Sequence, residues 1–150
     1  MAFKGNHPII LQFIKVLFII LFVYTASSKL MQLGQFQNRL DRFPFISSYS
    51  VWIAFGVPFV ELVIVGLFLV PRYLLTALCS SFTLLFLFTA YIVTVLHFSD
   101  SIPCSCGGAL SALGWKDHIL FNTSFMLLAL LGILLVTKKS KRQALNQNTT

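Results

Sequence analysis

Four long apolar runs dominate this chain of 150 residues, and each is long enough to cross a lipid bilayer. A bilayer core about 30 Å thick requires roughly 20 apolar residues in a helix. Because backbone polar groups in lipid must be satisfied within the segment, we expect helices even where Phe and β-branched residues are frequent. The predicted transmembrane helices are about 9–28, 51–70, 74–96 and 119–136.

The composition agrees with a membrane protein and excludes an ordinary soluble domain. Hydrophobic residues make up 57% of the chain and charged residues 10%, and the mean hydropathy is +0.87. A soluble domain is about a quarter charged, so lipid is the expected surrounding. The net charge of +7 comes mostly from basic residues near the ends of the apolar runs and in the C-terminal tail. Membrane topology explains such a pattern, and we expect no nucleic-acid partner.

The connections between the runs predict the architecture. Only residues 71–73 separate the second and third runs, which requires an antiparallel hairpin. Residues 29–50 carry apolar side chains at helical spacing between polar ones, which predicts an amphipathic interfacial helix. These side chains are Leu30, Leu33, Phe36 and Leu40. We therefore predict an all-α membrane protein, a four-transmembrane-helix bundle over 1–137, followed by a basic, disordered cytoplasmic tail over 138–150.

The distribution of Lys and Arg predicts the orientation. With four spans both termini lie on one side, and that side has six basic residues against four on the other. The six are Lys4, Arg72, Lys138, Lys139, Lys141 and Arg142, and the four are Lys29, Arg39, Arg42 and Lys116. The count favours cytoplasmic termini in a bacterial inner membrane, with the loop between the third and fourth helices in the periplasm.

A cleaved signal peptide is the alternative reading of the N-terminus. Lys4 and Lys15 would form its charged region, 16–24 its apolar region and 26–28 its cleavage site. A retained helix is the simpler reading, since the apolar run already begins at Ile9 and Lys15 can extend toward the interface.

Cys104 and Cys106 are the strongest chemical feature, because Pro103 and two following glycines place them in a tight turn. Cysteines two positions apart can reach the Cα separation of a disulfide when the backbone bends, although with strain. Closing a three-residue loop contributes only ~1.6 kcal/mol, against ~3 kcal/mol for fifteen residues. Thiol-disulfide exchange therefore suits the pair better than a structural bridge, which stays as the alternative reading.

Two histidines flank the pair and suggest a weaker metal alternative. His97 precedes Cys104 by seven residues and His118 follows Cys106 by twelve, so a Cys₂His₂ set could converge. Each histidine is more simply an interfacial side chain near a helix end. A cationic His118 near the thiols would lower a cysteine pKa, so we count it as a candidate for tuning them.

Polar residues inside the apolar runs form a second group of candidates. Glu61 lies near the expected bilayer midplane, and its candidate partners are Lys15 and Lys29, unless the carboxyl group is protonated. It either fixes helix packing by a hydrogen bond or relays protons from the thiol site. Asn122 is expected below the cysteine loop, as an interhelical hydrogen-bonding residue. Cys79, in the third helix, is expected to be a small buried hydrophobe.

Together these motifs resemble the MauE branch of the DoxX-like membrane proteins, over about 9–136. The motifs are Ala26-Ser27-Ser28-Lys29, Pro58-x-x-Glu61 with Gly66, and Pro103-Cys104-x-Cys106-x-Gly108 ahead of Trp115 and Asn122. The cysteine motif is the most distinctive part, whereas the Lys and Pro-x-x-Glu features are shared with other DoxX relatives. Gly107 stands where family members often have an aromatic residue, which leaves the thiols intact but changes the packing of the loop.

The resemblance implies a bundle similar in outline to vitamin K epoxide reductase-like disulfide enzymes. MauE proteins are linked to maturation of the disulfide-rich small subunit of methylamine dehydrogenase, beside a thioredoxin-like partner. By that analogy Cys104 and Cys106 are the redox pair, and Lys29 and Glu61 are the membrane-embedded polar residues of the family. A quinone in the bundle would be the redox cofactor, although no residue demands one.

Three functions are therefore open at this point. The first is a membrane thiol-disulfide component for an extracytoplasmic thioredoxin-like or cysteine-rich protein. The second is a non-catalytic chaperone or anchor for a thioredoxin-like partner. The third is a small transporter or oxidase subunit that uses Glu61.

Overall fold

The protein forms a bundle of α-helices in a computed structural model, which describes residues 7–41, 46–98 and 114–147. The helices are α1 His7–Met31, α2 Leu33–Leu40, α3 Ser50–Leu69, α4 Leu74–Phe98 and α5 Trp115–Gln147. Short 3₁₀ turns at Ser47–Tyr49 and Pro71–Tyr73 lead into α3 and α4. The described residues contain no β-strand.

Four of these helices are long and apolar enough to span a membrane. The spans are Ile9–Met31, Ser47–Leu69, Pro71–Thr94 and Lys116–Arg142. The predicted fold class, a four-transmembrane-helix bundle, is confirmed, and the protein is a multi-pass membrane protein surrounded by lipid. α1 packs against α3 and α5, and α4 packs against the same two helices, so α1 and α4 occupy opposite corners of the bundle.

Aromatic rings meet at the centre of the bundle around Phe18, which is fully buried. Its ring centroid lies 5.6 Å from that of Phe68 on α3 and 5.5 Å from that of Phe125 on α5. Phe22 stacks one turn further along α1, at 6.0 Å from Phe18. Since lipid tails are as apolar as these rings, close packing rather than the hydrophobic effect holds the layer together. We call Phe18, Phe68 and Phe125 the aromatic layer.

Gly132 of α5 lies at a close approach between helices. A Cβ atom added there would lie 3.1 Å from both terminal methyl groups of Leu78 on α4 and 3.6 Å from Ile14 on α1. A hydrogen in place of a side chain therefore lets α5 approach both neighbours, as small residues commonly do between transmembrane helices.

The last helix is longer than the apolar run predicted. The tail from 138, expected to be disordered, is helical as far as Gln147 in the described part of the chain. Lys, Arg, Gln, Ala and Leu all have high helix propensity, and the membrane span provides the nucleus from which the helix continues. Hydropathy marks where a span leaves the apolar region, but it does not mark where a helix ends.

The expectation for Cys79 was wrong. Its side chain is exposed on the outer surface of the bundle. Ala77, Leu78 and Ser81 point inward on α4, so the helical period turns position 79 toward the lipid. Hydrophobic character did not distinguish the two faces, because in a membrane both are apolar.

The amphipathic segment after the first span is shorter than the 29–50 stretch that suggested it. α1 continues through Met31, and α2 then covers only Leu33–Leu40 and packs against α3. Lys29 consequently belongs to the last turns of the transmembrane helix rather than to an interfacial one. This assignment determines where its ammonium group can reach.

Candidate functional site

A buried ion pair joins α1 to α3. The Lys29 ammonium donates a hydrogen bond to Oε1 of Glu61, with a Nζ–Oε1 distance of 2.7 Å. The side chain of Glu61 is 3% exposed and that of Lys29 is 18% exposed. Of the two lysines expected as partners, the structure selects Lys29. Lys15 lies 14 residues earlier on α1, about 21 Å further along the helix axis.

The local structure explains why these two side chains meet. Glu61 lies 11 residues into α3, about 16 Å along the helix axis from Ser50. Lys29 lies near the end of α1, and its four-carbon side chain bridges the remaining distance. Nζ also lies 3.5 Å from the backbone carbonyl oxygen of Thr25, one turn earlier on α1. Side chains in a helix point toward its N-terminus, so that of Lys29 points into the bundle.

Thr25 is a site residue that the sequence analysis did not identify. Its hydroxyl donates to the Phe22 carbonyl at 3.3 Å and lies beside the carboxyl group of Glu61. The four-residue separation of Thr25 and Lys29 in the sequence could have indicated it, because residues four positions apart share one face of a helix. A threonine in an apolar helix is usually satisfied by its own backbone, so the pattern alone did not indicate a contact with Glu61.

His118 lies at about the same level of the bundle as Glu61. Phe68 and Phe125 both contact Phe18, which places them at a common height. Glu61 precedes Phe68 by seven residues, and His118 precedes Phe125 by seven, each about 10 Å along helices that run in the same direction. The His118 side chain is half-buried.

Asn122 lies one turn below His118 on the same face of α5. It is 4% exposed and faces the bundle interior. Its Nδ2 atom has no hydrogen-bond partner among the described residues, and the same holds for Oε2 of Glu61. An interhelical bond from Nδ2 was expected and is not found there. We call Thr25, Lys29, Glu61, His118 and Asn122 the polar cluster.

The predicted redox cysteines lie outside the described residues. Cys104 and Cys106 belong to the segment 99–113, which joins the end of α4 to the start of α5. The two helix ends that it joins, Phe98 of α4 and Trp115 of α5, belong to the end of the bundle where α1 finishes and α3 begins. Lys29 and His118, near the end of α1 and the start of α5, are the members of the polar cluster nearest to that end. Their redox role stays a prediction.

The metal alternative receives no support from the part of the chain that is described. No group of three or more His, Cys, Asp or Glu side chains that could hold a metal ion occurs there. His97 is exposed near the end of α4, while His118 is half-buried near the start of α5. A set that includes Cys104 and Cys106 involves residues outside the described ones, as does any quinone site built on the cysteine loop.

Comparison with known proteins gives one family. The family model described as "Methylamine utilisation protein MauE" matches residues 7–135, a stretch that includes the first three membrane spans, most of the fourth and the cysteine loop. No curated protein and no solved structure matches the chain. The match covers most of the sequence, and the chain therefore belongs to the MauE family.

Proposed function

We propose that this protein is a membrane thiol-disulfide component that assists maturation of an extracytoplasmic protein. Cys104 and Cys106 exchange disulfides with a thioredoxin-like or cysteine-rich partner. Membership of the MauE family supports a role in methylamine utilisation. The observation that carries the redox proposal is the Cys-Ser-Cys pair in the segment between the transmembrane helices α4 and α5.

The exchange needs only the two thiols and a partner disulfide. The thiolate of one cysteine attacks a partner disulfide, forms a mixed disulfide and releases one partner thiolate. The second cysteine then attacks the mixed disulfide and releases the other partner thiol. The partner is reduced and the pair is oxidised, or the reverse when the sequence runs backward. A disulfide between Cys104 and Cys106 would close a small, strained ring. Its closure would stabilise the fold by only ~1.6 kcal/mol, so the bond suits exchange better than structural stabilisation.

The proposed orientation places both termini in the cytoplasm of a bacterium and the cysteine segment in the periplasm. Six basic residues on the terminal side against four on the other side support it. Lys138, Lys139, Lys141 and Arg142 form an exposed basic stretch directly after the apolar part of α5. Such a basic cluster resists translocation across the membrane, which favours a cytoplasmic C-terminus. The periplasm is a compartment in which disulfides persist, which suits the proposed chemistry of the cysteine pair.

Turnover requires a second redox partner that restores the cysteine pair. A quinone dissolved in the bilayer is the candidate that the family resemblance suggests. The Lys29–Glu61 pair has a structural role beside this chemistry, because it ties α1 to α3.

The test follows the disulfide state of secreted proteins in intact cells. Cys104→Ser and Cys106→Ser should each change the thiol content of the cysteine-rich partner, measured by alkylation and mass spectrometry. Cys79→Ser is the matched control, since this cysteine is exposed on the outer surface of α4 and should have no effect. Unchanged partner disulfides in both loop variants would contradict the proposal.

The same cells separate the other two functions. A chaperone or anchor would lower the amount of partner without altering its disulfides, and the cysteine variants would retain that activity. A transporter or oxidase subunit would lose function in Glu61→Gln and tolerate the double cysteine variant. The redox proposal predicts instead that the cysteine variants lose function.

A further inference from the structure

Two buried polar atoms inside the bundle have complementary hydrogen-bonding needs. Oε2 of Glu61 is an acceptor and Nδ2 of Asn122 is a donor, and neither has a partner among the described residues. The two residues are 2% and 4% exposed. We propose that they form an internal water-binding site, in which water donates to Glu61 Oε2 and accepts from Asn122 Nδ2.

The two side chains face the same part of the interior. Glu61 lies about 10 Å from the aromatic layer along α3, and Asn122 lies about 4.5 Å from it along α5. The difference in height is one helical turn, and α3 and α5 both pack against α1. Bound water can link two polar atoms that do not touch, because each hydrogen bond extends about 2.8 Å between heavy atoms.

The chemistry of the two atoms favours water over a dry contact. A carboxylate oxygen and an amide N–H buried in apolar surroundings are costly when unpaired, and the low dielectric increases the cost. Buried water typically makes about three hydrogen bonds to otherwise unsatisfied groups. Here the Thr25 hydroxyl beside the Glu61 carboxyl group provides a third one.

The aromatic layer lies on one side of the site and the ion pair on the other. Phe18, Phe68 and Leu78 are fully buried and Phe125 is partly buried against them, so they close the site toward the end where α1 begins. The Lys29 side chain is the more exposed partner of the ion pair and lies on the opposite side of the site. Water therefore enters from the Lys29 side.

Radiolytic hydroxyl-radical labelling of the full-length protein in lipid nanodiscs, performed in H₂¹⁸O, tests the proposal. Radicals formed from bound water label buried side chains next to it. Phe22 and Ile64, each 2% exposed, lie between Glu61 and the aromatic layer and should be labelled. Phe18 and Phe68 are fully buried within the layer and serve as internal controls. We expect several-fold faster ¹⁸O incorporation at the first pair.

A variant identifies the residues that hold the water. Asn122→Leu should reduce labelling at Phe22 and Ile64 to the level of the internal controls. The matched control is Thr123→Leu, an exposed neighbour on α5 that should leave the labelling unchanged. Equal slow labelling of all four core residues in the wild-type protein would overturn the proposal, whether or not the variant folds. Persistent fast labelling in a folded Asn122→Leu protein would also overturn it.

Discussion

The ammonium group of Lys29 lies 2.7 Å from Oε1 of Glu61, although 32 residues separate the two in the chain. Both belong to membrane-spanning helices, so the contact joins α1 to α3 across the interior of the bundle. A single charge in that position would be costly, whereas the opposite charges of Lys29 and Glu61 compensate each other. The pair therefore constrains how α1 and α3 pack against each other.

Breaking the pair on one side should destabilise the bundle strongly. Lys29→Met leaves a buried carboxylate without its counter-charge, and removal of one partner of a buried pair costs about 3–5 kcal/mol. Thermal unfolding in detergent measures the effect. The matched control is Lys15→Met on the same helix, which should change little.

A double variant separates the pair from its parts. Lys29→Met combined with Glu61→Leu removes both charges, and the stability should recover most of the single-variant loss, because apolar replacement of a buried pair is often neutral. If the double variant is as unstable as the sum of the singles, the two residues do not form a coupled pair.

Larger residues at Gly132 should separate α4 from α5. Gly132→Leu places a side chain where even a Cβ atom would lie 3.1 Å from both Leu78 methyl groups, and overpacking of this kind costs about 1–3 kcal/mol. Gly132→Ala should cost less, since the Leu78 side chain can shift. Gly66→Leu is the control, because nothing lies within 4 Å of its position. Equal melting temperatures for the Gly132→Leu and Gly66→Leu proteins would refute this close approach.

The aromatic layer should carry a large share of the packing energy. Phe18→Ala removes the ring that contacts Phe68 and Phe125, and a Phe→Ala change in a core costs about 3–5 kcal/mol. Phe13→Ala, on the same helix at 65% exposure, removes the same atoms from the lipid-facing surface and should cost far less. Comparable losses at the two positions would show that burial in the bundle does not decide the effect.

Labelling with a membrane-impermeant maleimide tests the orientation. In a Cys79→Ser background, reduced intact cells should show reaction at Cys104 and Cys106, because the positive-inside count places their segment outside the cytoplasm. A cysteine introduced at Ser140, in the exposed basic stretch of α5, should react only after the membrane is opened. The reverse pattern would invert the topology.

The architecture of this chain follows directly from its sequence. Each of the four runs contains about 20 apolar residues. Such a segment forms a helix in lipid, because its backbone polar groups must be hydrogen-bonded within the segment. The candidate pairing of Glu61 with a lysine also followed from the rarity of polar groups in these runs. These inferences depend on local composition and on the bilayer as solvent.

Other features depend on which face of each helix is turned inward, and composition does not fix that face in a membrane. Cys79 was assigned to the interior although the helical period turns it outward, because lipid and core are equally apolar. The choice of Lys29 over Lys15 required the relative heights of α1 and α3. The position of the Thr25 hydroxyl beside Glu61 also arises only from tertiary packing. The same holds for the meeting of three rings in the aromatic layer.

The most direct test of the proposed function is a mixed-disulfide trap. In cells expressing the protein with Cys79→Ser and only one loop cysteine, Cys104 or Cys106, a redox component lacks the second thiol that resolves the intermediate. The account predicts a covalent complex with an extracytoplasmic cysteine-containing protein, which alkylation, non-reducing purification and mass spectrometry would identify. If neither single-cysteine protein forms such a complex while an intact partner still co-purifies, the protein holds its partner without exchanging disulfides, and the central claim is contradicted.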